Sequence, residues 1–301
     1  MLSESNQDLV IGIDVGGTEI KAGFLRGSEI ISARRWPTER EKGPAHAVNQ
    51  VLLAAKEMHR EFPEATAVGV VVPGVVNSKA GIAEYSENIG WRDIPFGKLV
   101  NEATGLPVGF GHDVRAGGVA ESMYGAGKGY KNSFFIPIGT GIAGAMVIDG
   151  ELFDDPYCGE IGHLDVVSGY VCACGIVGCL ESISTGPSIV RIYNEQSDIK
   201  LSDSSEVLKA AKGGDALAAK VWQASVDAIA FTLTAYINIL APEIIIVGGG
   251  VSKAGRDLLD PIESYFDRRL TFQKRPKLVI AELGDHAGMI GSGIFGLRAR
   301  G

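Results

Sequence analysis

Alternation of apolar and polar positions opens the chain. Residues 9–15, 20–25 and 29–37 read as consecutive strands of a meander, separated by turns at Gly16-Gly17-Thr18 and Gly27-Ser28. Over residues 47–62 the period changes. Val48, Val51, Leu52, Ala55 and Met58 recur at helical steps, and Pro63 stops the helix they predict. The unbroken apolar run 68–72 predicts a buried strand ending at Pro73-Gly74. Residues 108–110 give another strand and 114–124 a helix. Then the pattern begins again. Residues 134–138 and 143–148 form a second strand pair around Gly139-Thr140-Gly141, and Ile13-Asp14-Val15-Gly16 lines up with Ile136-Pro137-Ile138-Gly139. Further on, Leu217, Val221, Ala224, Ala228, Phe231 and Ala235 mark a long helix over 216–240. A buried strand at 244–247 runs into Gly248-Gly249-Gly250. A helix at 256–270, a strand at 278–281 and a small-residue helix from Ala287 complete the series. The recurrence predicts a duplicated architecture: two α/β domains facing a common cleft, with a compact hinge near Gly117-Gly118.

Length agrees with two domains, since 301 residues exceed what one core ordinarily fills. Glycine supplies 41 of them, roughly twice the usual share of about 7%, without a Gly-X-Y period, so their positions matter more than their number. A net charge of −8 argues against a nucleic-acid partner, because phosphate backbones attract basic patches. The uncharged stretches 133–148 and 228–242 are shorter than the ~18–20 residues of a bilayer span. Residues 1–8 are polar and acidic, unlike a signal peptide. The expectation is a cytoplasmic protein with no membrane contact. Four cysteines, three of them within 172–179, do not make a secreted disulfide framework.

Candidate chemistry concentrates at the glycine turns. Residues 139–144 match G-x-G-x-x-G, but a strand follows where a dinucleotide site needs a helix, which excludes that reading. What remains is a turn between strands whose backbone N–H groups can nest an anion at Thr140 and Gly141. Asp14-Val15-Gly16-Gly17-Thr18-Glu19-Ile20-Lys21 is the sharper signal. A carboxylate at a strand end can hold Mg²⁺, glycine amides and Thr18 can cradle phosphate, and Lys21 can neutralise charge. Cys172, Cys174 and Cys179 present three thiolates in one loop, which points to zinc with His163 or Cys158 as fourth ligand; a closed set of four makes the metal structural. His112-Asp113 follows a strand. Asp113 can act as a general base, although its sequence neighbourhood equally suits a helix N-cap. Glu160 and Glu181 flank the cysteine loop.

Together these residues resemble the ROK family of repressors, open reading frames and sugar kinases. The likeness runs from Asp14 to Gly284-Asp285-His286-Ala287-Gly288. It rests on Glu160-Ile161-Gly162-His163, on Cys172-x-Cys174-Gly175-x-x-Gly178-Cys179-x-Glu181, and on Asp-x-Gly-Gly-Thr-x-x-Lys at the N-terminus. The resemblance implies a two-domain actin-like ATPase (ribonuclease H-like) fold with an interdomain cleft. Domain one would span 1–117, with a last helix over 287–301 returning to it, and domain two 118–286 with the zinc loop. It further implies a homodimer. By position Asp113 matches the catalytic base, and Gly74, Asn88, His112, Glu160, His163 and Glu181 match sugar ligands. Asp14, Gly16, Gly17, Thr18, Lys21, Thr140, Gly141, Gly248 and Gly249 match nucleotide positions. His163, Cys172, Cys174 and Cys179 match the zinc ligands, which leaves Cys158 outside. Asn88-Ile89-Gly90-Trp91 is similar to a stretch common in glucose- and fructose-phosphorylating members. Two departures stand out: His112 replaces the usual Asn before the base, and Arg115 stands where a small polar residue is common.

The expectation is an ATP- and Mg²⁺-dependent hexose kinase acting on the 6-hydroxyl, with glucose first among the sugars. N-acetylmannosamine or fructose as acceptor, or polyphosphate as donor, are the alternatives within the class. A non-catalytic sugar sensor is the alternative outside it. The family's repressors carry an N-terminal helix-turn-helix; here only about eight residues precede the first strand, and with Asp113 retained the expectation favours an enzyme.

Overall fold

The opening meander forms in the computed structural model, which describes residues 8–300. Residues 1–7, where the sequence showed no signal peptide, lie outside the described residues. β1 (Leu9–Val15), β2 (Glu19–Arg26) and β3 (Glu29–Pro37) pair antiparallel, and β1 pairs parallel with β4 (Val68–Val72). α1 (Pro44–Glu61) begins three residues before the predicted start because Pro44 suits the first helical position, where no N–H is needed. Val51, Ala55 and Met58 on its inner face are wholly buried against the sheet.

Three short strands, β5 (Val75–Asn77), β6 (Ile82–Ser86) and β7 (Trp91–Ile94), make a separate antiparallel sheet, followed by α2 (Phe96–Thr104). The periodicity assigned no element here. Strands of three to five residues are too short for a period to declare itself. β8 (Val108–His112) then joins β4 in parallel and completes the order β3-β2-β1-β4-β8, and α3 (Asp113–Tyr124) follows without a loop.

The last helix, Ala287–Arg298, lies on this sheet in a lane free of side chains. Gly23, Gly12, Gly69 and Gly109 are register neighbours across β2, β1, β4 and β8. A Cβ on Gly12 would come within 2.7 Å of Ser292 Oγ, and one on Gly69 or Gly109 would meet helix backbone at Ser292 and Phe295. Gly291 in turn lets the helix approach the Ala116 carbonyl of α3. Gly117 and Gly118, where the sequence suggested a hinge, lie buried inside α3. The first of two compact units therefore extends to Gly125; it also takes in Leu152–Cys158 and the chain from Asp285 onward.

The second unit comprises Ala126–Glu151 and Gly159–Gly284. Ala145–Ile148 pairs antiparallel with Ser133–Pro137, which pairs parallel with Ile244–Gly248, and that strand pairs parallel with Lys277–Ile280. The order and directions repeat β2-β1-β4-β8 strand for strand. Its longest helix, Ala216–Leu240, starts sharply because the Asp215 carboxylate accepts the N–H groups of Leu217 and Ala218 at 2.9 and 3.0 Å. Among the described residues no helix is long and apolar enough to cross a membrane.

Candidate active site

In each unit several of the candidate residues lie at the carboxyl ends of the parallel strands, the edge at which open α/β sheets bind ligands. β1 ends at Asp14-Val15, β4 runs into Pro73-Gly74, and β8 ends at His112. The chain leaves β1 through Gly16, Gly17 and Thr18, and the Gly16 N–H donates to the Glu19 carbonyl at 2.9 Å. Thr38, directly after β3 and fully buried, seals this turn from the other side. Its hydroxyl donates to the Gly16 carbonyl at 2.7 Å and its N–H to the Thr18 carbonyl at 2.9 Å. Sequence reasoning passed over Thr38, whose only local mark is a hydroxyl after Pro37.

The Asp14 carboxyl is enclosed by the last helix. A Cβ on Gly288 would stand 2.6 Å from its oxygen, so any larger residue there would have to displace the carboxyl. Burial first, and the charge of Asp113 second, push this carboxyl up to about 7 against the opposing pull of Lys21. Lys21 Nζ lies 3.7 Å from Glu19 Oε1 and 3.4 Å from the Asp285 carbonyl. A buried carboxyl raised further by a neighbouring carboxylate fits a divalent cation, whose charge would favour the ionised form of Asp14.

Asp113 is the first residue of α3, and His112 takes the N-cap position that the sequence offered to Asp113. The Val114 N–H reaches both side chains, at 2.7 Å from Asp113 Oδ1 and 3.2 Å from His112 Nδ1. The helix start thereby orients the carboxylate and the ring together. Gly74 has φ +102°, and any Cβ there would strike the Tyr85 carbonyl. Asn88 sits in the exposed turn between β6 and β7. Arg115, flagged in the sequence as a departure, is buried and serves the 152–158 segment. It pairs with Asp154 at 3.0 Å, donates to the Asp155 carbonyl at 2.5 Å and lies 3.7 Å from Cys158 Sγ.

In the second unit the turn after Ser133–Pro137 is closed by the Gly139 N–H donating to the Gly141 carbonyl at 3.1 Å, and Thr140 and Gly141 are exposed. Glu181 is fixed against this turn. Its Oε1 accepts the Ile142 N–H at 2.6 Å, and a Cβ on Gly162 would stand 2.8 Å from the same oxygen. Gly248 and Gly249 have a packing reason of their own. A Cβ on the first would meet the Phe135 ring at 2.9 Å, and Gly249, at φ +77°, lies against the Ile138 backbone.

His163, Cys172, Cys174 and Cys179 bring four ligand atoms within 4.8 Å of one another. Cys174 and Cys179 sulfurs are 3.7 Å apart, and Cys172 Sγ is 3.8 Å from His163 Nδ1. Tetrahedral zinc with Zn–S bonds of about 2.3 Å puts its ligand atoms about 3.8 Å apart, so donor types and spacing both fit. As bare thiols the set is ill-matched: burial pushes Cys179 up to about 12, while the Ile176 N–H holds Cys174 below the ordinary thiol range. Cys158 belongs to the other unit and stands outside the cluster. The second ring nitrogen of His163, Nε2, faces Glu160 Oε2 at 4.0 Å.

The sequence model of the ROK family matches residues 10–298. Glucokinase from Halalkalibacterium halodurans is 34% identical, over 94% of this chain and 93% of that protein. Among solved structures, the ROK hexokinase from Thermus thermophilus matches with a TM-score of 0.84 at 30% identity, covering 96% of this chain and 98% of the other. A ROK family glucokinase from Streptomyces griseus in complex with glucose and AMPPNP matches with a TM-score of 0.82 at 28% identity, covering 96% and 99%. The mixed α/β fold is that of the actin-like ATPases.

Proposed function

The chain belongs to the ROK family and is a sugar kinase, and we propose that it moves the γ-phosphoryl group of ATP to the 6-hydroxyl of glucose. One observation carries the reading. At the strand ends of the first unit, beside the Gly16-Gly17-Thr18 turn, the buried Asp14 carboxyl lies within reach of the charge of Asp113, which is the arrangement of a cation-holding carboxylate and a base. The likeness to a glucokinase that holds glucose and AMPPNP supports both substrates.

Asp113, held by the Val114 N–H through one oxygen, accepts the proton of the 6-hydroxyl. The 6-hydroxyl oxygen of the sugar forms a bond to the γ-phosphorus in line with the breaking bond to the ADP oxygen, and ADP leaves. Asp14 would hold Mg²⁺, which neutralises phosphate charge when bound. In the first unit the N–H groups of Gly17 and Thr18, in a turn that Gly16 closes onto Glu19, bind phosphate oxygens with the Thr18 hydroxyl and Lys21. In the second unit Thr140 and Gly141 do so, and Gly248 and Gly249 shape the nucleotide site. Asn88, His112, Glu160, Glu181 and His163 Nε2 take the remaining sugar hydroxyls, with Gly74 giving backbone access. A structural zinc on His163 Nδ1 would fix the ring, leaving Nε2 on the Glu160 side.

Asp113→Asn keeps the shape and removes the base. Turnover should fall by about 10²–10⁴-fold, the usual weight of general-base catalysis, while glucose affinity, measured by calorimetry, changes little. Near-normal turnover would remove Asp113 from the role.

A further inference from the structure

The segment directly after β3 carries an arginine that the assignments above leave out. Thr38 ties this segment to both ends of the phosphate turn, through the carbonyls of Gly16 and Thr18. Glu39 follows with φ +49°, a left-handed conformation that non-glycine residues adopt rarely and at a cost. Three side chains hold it there. Its carboxylate receives Lys42 Nζ at 2.5 Å and Gln50 Nε2 at 3.0 Å, and contacts His46 Nε2 at 2.6 Å. Strain that is fixed from so many sides has a consequence for the next residue. Arg40 turns its side chain back over the phosphate turn. Its Nη1 lies 3.4 Å from where a Cβ on Gly17 would be, and donates to the Asn88 carbonyl at 3.2 Å. Among the described residues no carboxylate lies within ion-pair distance of Arg40, whereas Lys21 has Glu19 and Lys42 has Glu39.

We propose that Arg40 binds the terminal phosphoryl group of the nucleotide over the Gly16-Gly17-Thr18 turn, and keeps the Asn88 segment in register with it. The proposal rests on the phosphate-turn reading above. A guanidinium carries five N–H donors in a planar fork, and the Asn88 carbonyl accepts one of them. An exposed cation without a carboxylate partner, in a chain of net charge −8, suits an anion that arrives and leaves. The 3.4 Å from the guanidinium to a Cβ position on Gly17 is an ordinary contact distance, which sets the arginine directly over the turn. Because ADP lacks the terminal group, Arg40 should tell the triphosphate from the diphosphate.

The test compares affinities for AMPPNP and ADP, by calorimetry with Mg²⁺ and glucose present, in wild type, Arg40→Gln and Arg40→Lys. Loss of a charge-assisted contact should weaken AMPPNP by about 10–100-fold in Arg40→Gln. ADP affinity should stay within about twofold of wild type, and Arg40→Lys should fall between. A purely structural role would shift both nucleotides together. An unchanged AMPPNP-to-ADP ratio in Arg40→Gln overturns the assignment, and should that variant unfold, the same ratio in Arg40→Lys decides. If wild type itself neither binds AMPPNP nor phosphorylates a hexose, the kinase reading falls with it. If wild type does both and the ratio is unmoved, only Arg40 is removed.

Discussion

At Asp14 the fold holds a carboxyl group where its charge is poorly solvated and faces that of Asp113. Raised from 3.8 to about 7, this group keeps its proton in the folded chain at pH values where the unfolded chain has lost it. The folded state binds more protons there, so stability declines as pH rises from the lower value to the higher. The contribution is complete below the unfolded value and gone above about 7. Asp14→Asn has no such dependence. Without added divalent cation, the melting temperature of Asp14→Asn should therefore gain on wild type between pH 4 and 7 and level off above, and Mg²⁺ should shrink the gap. A gap independent of pH would contradict a buried, proton-holding Asp14. Residues of this kind were legible where neighbours in sequence share the task, as in Asp14-Val15-Gly16-Gly17-Thr18. Thr38, Arg40 and the partners of Arg115 were not, because each acts across a contact between segments distant in the chain.

Among elements, the loop 159–181 depends most on something beyond its own packing. Ile176 and Val177 are exposed, and two isolated bridges, Val171 to Val177 and Asp165 to Cys179, are its only sheet pairings among the described residues. A zinc ion on its four donors would supply the missing order and hold Glu160 and His163 as a pair. Gentle purification should yield about one zinc per chain by elemental analysis. Its removal should raise KM for the sugar far more than it lowers kcat, since the loop carries the proposed sugar ligands and Asp113 belongs to the other unit. A metal-free protein with unaltered KM would refute this role. The cysteine spacing made this loop legible before any coordinates. The glycine lane under the last helix was not, although every glycine in it is visible in the sequence. Gly12, Gly23, Gly69 and Gly109 become one feature only through strand register. The β5–β7 sheet was illegible for a different reason, its strands being too short to show alternation.

For the molecule as a whole, the repeated hairpin proved the most informative part of the sequence pattern. It pointed to a duplicated architecture, and the two sheets repeat the same order and strand directions. Much of the glycine excess serves two uses: turns at strand ends, and close approaches to neighbouring backbone or side chains. Gly248 and Gly249 show that the two uses can coincide. Fold and kinase class were thus readable from pattern and motif. Sugar identity was not, because on the proposed reading it rests on how His112, Asn88 and the Glu160–His163 pair present their polar atoms, which no spacing encodes. The central claim is phosphoryl transfer from ATP to the 6-hydroxyl of glucose. It is tested most directly by following ADP release across a panel of hexoses and N-acetylated hexosamines, with the product's phosphorylated position read by phosphorus NMR. Glucose should give the highest kcat/KM and a single 6-phosphate product. Sugar-induced thermal stabilisation with no ADP release from any sugar, or a clear preference for an N-acetylated sugar, would contradict the central claim.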